Sequence, residues 1–126
     1  MLKMVLKTPP RTKKNHGRII EHKETKKRFM LPSEQYLQYE KDCAYFVSPK
    51  FVYIDIPLNI KCFYYMPTKG RVDKTNLESA VLDMLVHYGV IKDDNSKIVV
   101  STDGSRVKYD KENPRTEIYI TYQTEL

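Results

Sequence analysis

The sequence predicts an α+β fold, a mixed β-sheet with two helices in a single compact domain over residues 1–126. Three observations lead there. Residues 57–66 alternate apolar and polar with the two-residue period of a strand. Two segments, one after Ser33 and one from Thr75, carry apolar residues at helical spacing behind capping residues. Three more strand-like runs close the chain, separated by turn residues. With 126 residues, 40% hydrophobic and 30% charged, the chain is long enough for a core and too apolar to stay disordered.

Taken in order, Leu2 to Leu6 alternates with Lys3 and Lys7, as a strand with one buried face does. Thr8 to Gly17 is a basic loop rich in turn residues. Arg18–Glu21 and Arg28–Leu31 bracket a Lys-rich polar stretch and read as a hairpin. Ser33 is the N-cap of the first helix; Tyr36, Leu37, Cys43, Ala44 and Val47 make its apolar face, and Ser48-Pro49 ends it. In the central strand, Leu58, Ile60, Cys62, Tyr64 and Met66 fall on one face and Asn59, Lys61, Phe63 and Tyr65 on the other. The second helix starts at Thr75, which with Glu78 fits a capping box. Leu77, Ala80, Val81, Met84, Leu85 and Tyr88 form its buried stripe, and Gly89 stops it. Strands follow over 98–102, 105–109 and 116–122, with Asp103-Gly104 turning the first pair and Asp110–Pro114 the second.

Charge is uneven along the chain. Residues 1–31 hold ten Lys or Arg against two Glu, a net of +8; the remainder holds twelve against fourteen, a net of −2. A basic arm (strand, loop and hairpin, 1–31) on a nearly neutral body suits a phosphate backbone or an acidic surface; a merely solvated hairpin fits as well. No apolar stretch is long enough to span a membrane, and the N-terminus lacks the apolar block of a signal peptide. Cys43 and Cys62 stand alone without CxxC spacing, so they read as small core residues in a reducing cytoplasm. His16, His22 and His87 share no ligand spacing.

Against this basic background, the acids between Asp73 and Asp94 are the most informative residues. Carboxylates gathered in a basic protein are what a divalent metal needs where a polyanion docks. Asn76 and Asp83, seven apart, lie within about 20° of one another around a helix; Glu78 lies about 200° from Asn76, on the other side. Asp73 precedes the helix and Asp94 follows it. The helix from Asn76 to Tyr88 is about 20 Å long, and an extended return from Gly89 spans up to roughly 20 Å, so Asp94 reaches the helix start only if the return runs back along it. Each acid has a plainer reading. Asp73 fits an ordinary loop, Asp83 a partner for Lys or a backbone group, and Asp93-Asp94-Asn95 a turn.

The run Asp73-x-x-Asn76-Leu77, then Asp83 with Leu85, then Gly89-Val-Ile-x-Asp93-Asp94 resembles the RusA-type Holliday-junction resolvases of phages and prophages. The resemblance covers residues 57–122, and more weakly Pro9-Pro10 to Asn15. It implies a small RusA-like α+β homodimer that binds branched double-stranded DNA and uses Mg²⁺ or Mn²⁺ to nick two opposing strands of a four-way junction. On this resemblance Asp73 and Asp94 are catalytic metal ligands with Asp93 beside them, Asp83 supports them, and Lys74 approaches the scissile phosphate. Lys13, Lys14, Lys26, Lys27, Arg28, Arg71 and Asn76 would contact DNA. Two positions depart from the family pattern: Thr75 stands where a second acid is usual, and Ser79 where a lysine is. A non-catalytic junction-binding protein is the alternative that these departures leave open.

Overall fold

The computed structural model describes residues 2–12, 18–21, 23–31, 33–47 and 53–123. Its elements, in chain order, are β1 (Leu2–Leu6), β2 (Arg18–Glu21), β3 (Arg28–Leu31), α1 (Glu34–Cys43), β4 (Leu58–Met66), α2 (Lys74–His87), β5 (Val99–Ser101), β6 (Arg106–Tyr109) and β7 (Arg115–Tyr122). The α+β class is as expected: a five-stranded mixed sheet with two helices. β2 and β3 form a separate antiparallel pair, as the hairpin reading expects.

The topology of the C-terminal strands differs from the expected hairpins. The sheet runs β1-β7-β4, and β5 and β6 both lie on the far edge of β4, parallel to it. They are successive pieces of one broken edge strand. Asp103-Gly104 is a kink between them, with Gly104 at φ +89°. The Asn59 side chain holds that kink: Oδ1 accepts from Asp103 N (2.9 Å) and from the Ser101 hydroxyl, and Nδ2 donates to Asp103 O (3.3 Å). Ser105 Oγ fills the gap in the ladder, accepting from Cys62 N at 3.0 Å and donating to Thr102 O at 2.7 Å. A buried polar backbone needs such substitutes wherever ladder bonds are broken. The Asp110–Pro114 segment then crosses the end of β4, and β7 pairs antiparallel on its other side, Tyr65 facing Arg115 and Leu58 facing Tyr122. Turn residues mark a reversal but do not say which strand is rejoined.

The pleat of β4 is as its alternation predicts. Leu58, Ile60, Cys62 and Tyr64 are buried; Asn59, Lys61, Phe63 and Tyr65 are only half-buried. The even positions join Met4 and Leu6 of β1, Ile118 and Ile120 of β7 and the buried residues of both helices in one core. Cys43 and Cys62 are free and buried in it, and burial pushes each thiol up to about 12.

Ser33 caps α1, its Oγ accepting from Tyr36 N at 3.2 Å. The buried face of α1 is Tyr36, Tyr39 and Cys43; Ala44 is exposed and Leu37 half-buried, so the expected stripe is one step out. The helix ends at Cys43 and tightens, with Ala44, Tyr45 and Phe46 each donating three residues back. The expected stop at Ser48-Pro49 lies outside the described residues.

For α2 the cap is Asp73 rather than Thr75. Asp73 Oδ1 accepts from Thr75 N (2.9 Å) and Asn76 N (3.4 Å). A carboxylate offers a stronger acceptor than a hydroxyl and favours the positive helix end, so the helix begins earlier and the Thr75–Glu78 capping box is not formed. Glu78 instead pairs with Lys74 at 2.6 Å. The expected buried stripe holds from Leu77 to Leu85. Tyr88 lies half-buried, its hydroxyl donating to Glu40 O. Gly89, at φ +71°, ends the helix.

Candidate functional site

After Gly89 the chain does not run back along α2. Ile54 N donates to Val90 O (2.9 Å), Lys92 N donates to Ile54 O (2.8 Å), and Ile54 and Ile91 form a parallel bridge. With its backbone bonded there, and Val90 and Ile91 buried, the return is held beside the C-terminal half of α2. Asp93 and Asp94 follow at once. They open with Asp83, Glu40, Val86 and His87 onto a cleft of about 380 Å³.

The sequence pattern and the structure part company over Asp73. Asp83, Asp93 and Asp94 are brought to one cleft. Asp73 caps the other end of α2, ten residues from Asp83, or about 15 Å along the axis. Lys74 is at that same end, exposed and bound to Glu78. Asn76 is in the first turn, and Arg71 is exposed in the preceding loop. Lys26, Lys27 and Arg28 are exposed around the β2–β3 turn, where Lys26 adopts φ +60°. Lys13 and Lys14 lie outside the described residues.

The two neighbouring carboxylates are electrostatically unlike. Asp93 accepts from Asp94 N at 2.7 Å and from Asn95 Nδ2 at 3.1 Å, and these bonds to its charged form hold it below the usual carboxylate range. Asp94 is pushed above that range, by partial burial first, then by sharing a hydrogen bond with Asp93 and by the negative charge of Asp83 and Asp93. Accumulated negative charge is what a bound cation relieves.

Two ionisable contributors to this cleft, Glu40 and His87, were not anticipated. Glu40, from α1, meets His87 Nε2 at 3.5 Å. Nothing in the sequence ties Glu40 to residues 83–94, because the pairing is across helices. The spacing of Asp83 and His87, one turn apart on the same helix face, was legible. Beneath them Tyr36 is 1% exposed. Burial raises its phenol most, and the charges of Glu40 and Asp83 raise it further.

The donor chemistry fits a hard divalent cation. Among the described residues no group of three or more His, Cys, Asp or Glu side chains stands ready to hold a metal by itself. Mg²⁺ typically keeps several waters and is bound through one or two carboxylates plus substrate phosphates, so two aspartates suffice. Among the described residues no helix is long and apolar enough to cross a membrane.

A family model described as endodeoxyribonuclease RusA matches residues 7–121. No curated protein matches significantly.

Proposed function

The chain belongs to the RusA endodeoxyribonuclease family, and from that premise we propose that it is a metal-dependent enzyme resolving four-way DNA junctions by paired symmetric nicks. The observation that carries this reading is the convergence of Asp83, Asp93 and Asp94 on one open cleft, with Asp94 pushed up by partial burial and then by its neighbours. Asp94 and Asp93 are the proposed ligands of Mg²⁺ or Mn²⁺, with Asp83 at their side. When bound, such a cation supplies Lewis acidity and an activated water for phosphodiester hydrolysis. Glu40 orients His87, and the exposed basic turn at Lys26–Arg28, with Lys13 and Lys14, holds the phosphate backbone. Asp73 acts on the site indirectly, by fixing the start of the helix that carries Asp83. Each chain supplies this cleft and two opposing strands are cut, so the working unit in this reading is a homodimer, which we place in the cytoplasm.

The test is single-turnover cleavage of a synthetic four-way junction with Mg²⁺ or Mn²⁺, beside calorimetric titration of Mn²⁺. Asp94→Asn and Asp83→Asn are expected to abolish cleavage, and Asp94→Asn to weaken Mn²⁺ binding. Equal Mn²⁺ affinity in wild type and Asp94→Asn would overturn the assignment. A second reading, a junction-binding protein without catalysis, is favoured by one observation. The family's second acid and lysine are Thr75 and Ser79 here, and Asp73 is occupied as a helix cap. Tight junction binding with no cleavage in either metal would establish it.

A further inference from the structure

The helices cover one face of the sheet. The other face has a regular composition that the carboxylate cleft does not use. Strand register sets its rows. Tyr119 lies between Lys3 and Lys61; Phe63 lies beside Arg106; Tyr65 lies between Arg115 and Lys108. Cations sit over nearly every ring. Lys61 Nζ is 4.9 Å from the Tyr119 centroid and 5.3 Å from that of Phe63; Lys108 Nζ is 4.5 Å from Phe63; the Arg115 guanidinium is 3.8 Å from Tyr65. Phe63 and Tyr119 meet edge to face at 5.6 Å. Phe63 and Tyr65 are two residues apart on one strand, hence about 6.6 Å along it.

We infer that this sheet face binds an unpaired DNA strand, stacking exposed bases on Phe63, Tyr65 and Tyr119 and holding its phosphates with the interleaved Lys3, Lys61, Arg106 and Lys108. The choice of DNA as partner rests on the proposed function. The rings select an unpaired strand, because in a duplex the base faces are already stacked and cannot reach a protein ring. The lysines over the rings are long and flexible. A base that takes a ring face displaces the ammonium sideways, toward the phosphate attached to that base. The charge argues against a second copy as the occupant. A two-fold interface lays a patch on itself. Here that would appose four cations (Lys3, Lys61, Arg106 and Lys108) with their equivalents. Two carboxylates border them and both are taken up by Arg115: Glu117 at 2.9 Å, which also accepts from the Tyr119 hydroxyl at 3.0 Å, and Asp110 at 2.9 Å. A strand of DNA supplies the missing negative charge. The face is opposite the side on which α2 packs, so a branched substrate reaching it presents strands opened beyond the point of cutting.

The experiment is fluorescence anisotropy of a short labelled oligothymidylate, without metal so that cleavage plays no part, with a matched duplex as comparison. Phe63→Leu and Tyr65→Leu keep the strand apolar and are expected to weaken oligothymidylate binding on the order of tenfold each, with little effect on the duplex. Phe63→Trp, which retains a stacking face, is expected to restore the affinity. Circular dichroism confirms that each variant is folded. Binding is read without metal and without cleavage, so failure of the nuclease reading and failure of this one are read separately. Unchanged affinity in both Leu variants would overturn the inference. So would a wild-type dimer that dissociates in Phe63→Leu on sedimentation, which would assign the face to a second copy.

Discussion

The exchange of roles between Asp73 and Thr75 makes a sharp stability prediction. Asp73 Oδ1 accepts from two of the otherwise unpartnered N–H groups at the start of α2, at 2.9 and 3.4 Å. Removing an N-cap acceptor typically costs about 1 kcal/mol, within a range of about 0.5–2. Loss of a carboxylate at the helix start removes about 0.3–1 kcal/mol more. Asp73→Ala is therefore expected to destabilise by about 1–2 kcal/mol, lowering the thermal midpoint by about 4–8 °C for a chain of this size. Thr75 contributes only its backbone N–H to the cap and its side chain is exposed. Thr75→Ala is expected to stay within about 0.5 kcal/mol of wild type, and to gain slightly from the better helix propensity of Ala. Asp73→Ser, which keeps a capping oxygen, should fall near wild type. Urea unfolding of the three variants at neutral pH measures all of this. A larger loss in Thr75→Ala than in Asp73→Ala would return the cap to Thr75 and refute the reasoning. Asp73→Ser then answers a functional question. If it is as stable as wild type yet fails to cleave, Asp73 has a role in the chemistry beyond holding the helix.

Gly104→Ala should destabilise by about 1 kcal/mol or more, because Gly104 holds φ +89° and an added Cβ would come within 2.7 Å of the Lys61 side chain; thermal unfolding measures it, and a neutral result would mean the kink relaxes freely. In the cluster around Arg115, hydrogen bonds from Arg115 and Asn113 hold Asp110 low. Glu117, which burial alone would raise, is held low by Arg115 and Tyr119. Carboxylates with depressed values contribute stability that is present above their unfolded range, near pH 4, and lost as pH falls through the folded values. Stability should therefore fall below about pH 4, and Arg115→Ala should flatten that acid limb; an unchanged limb would show that other carboxylates control it. For the basic arm, replacing Lys26, Lys27 and Arg28 with Ala should reduce the salt dependence of junction affinity by up to about 0.9 for each phosphate no longer neutralised. An unchanged slope would show that the turn does not touch DNA.

Much of the fold was legible because its signals are local. The alternation from Leu58 to Met66 names the buried face of β4 correctly, and the stripe from Leu77 to Leu85 does so for α2. Gly89 stops the helix for a reason visible in its residue type. What was not legible depends on pairing at a distance. The Asp103-Gly104 dipeptide favours a reversal, yet Asn59, 44 residues earlier, supplies the hydrogen bonds that make it a kink in an edge strand instead. The Tyr36–Tyr39–Cys43 face of α1 is narrow and led by aromatics with polar tips, so an apolar count picks Leu37 and Ala44 ahead of Tyr39.

The candidate site divides in the same way. Residue order alone groups Asp73, Asp83, Asp93 and Asp94, and the length of the return permits Asp94 to reach either end of α2. The choice is made by Ile54, whose N–H and C=O take up Val90 and Lys92. Once those backbone groups are bonded, Asp93 and Asp94 have no chain left with which to travel some 15 Å toward Asp73, and they come to rest beside Asp83. A residue with no polar side chain thus decides which carboxylates share a cleft. The same placement explains why Glu40 and His87 line this cleft, since both border the C-terminal half of α2, and why Lys74 lies apart from it. Within one chain, the carboxylates that share a cleft are therefore Asp83, Asp93 and Asp94, while Asp73 caps the far end of the helix that carries Asp83.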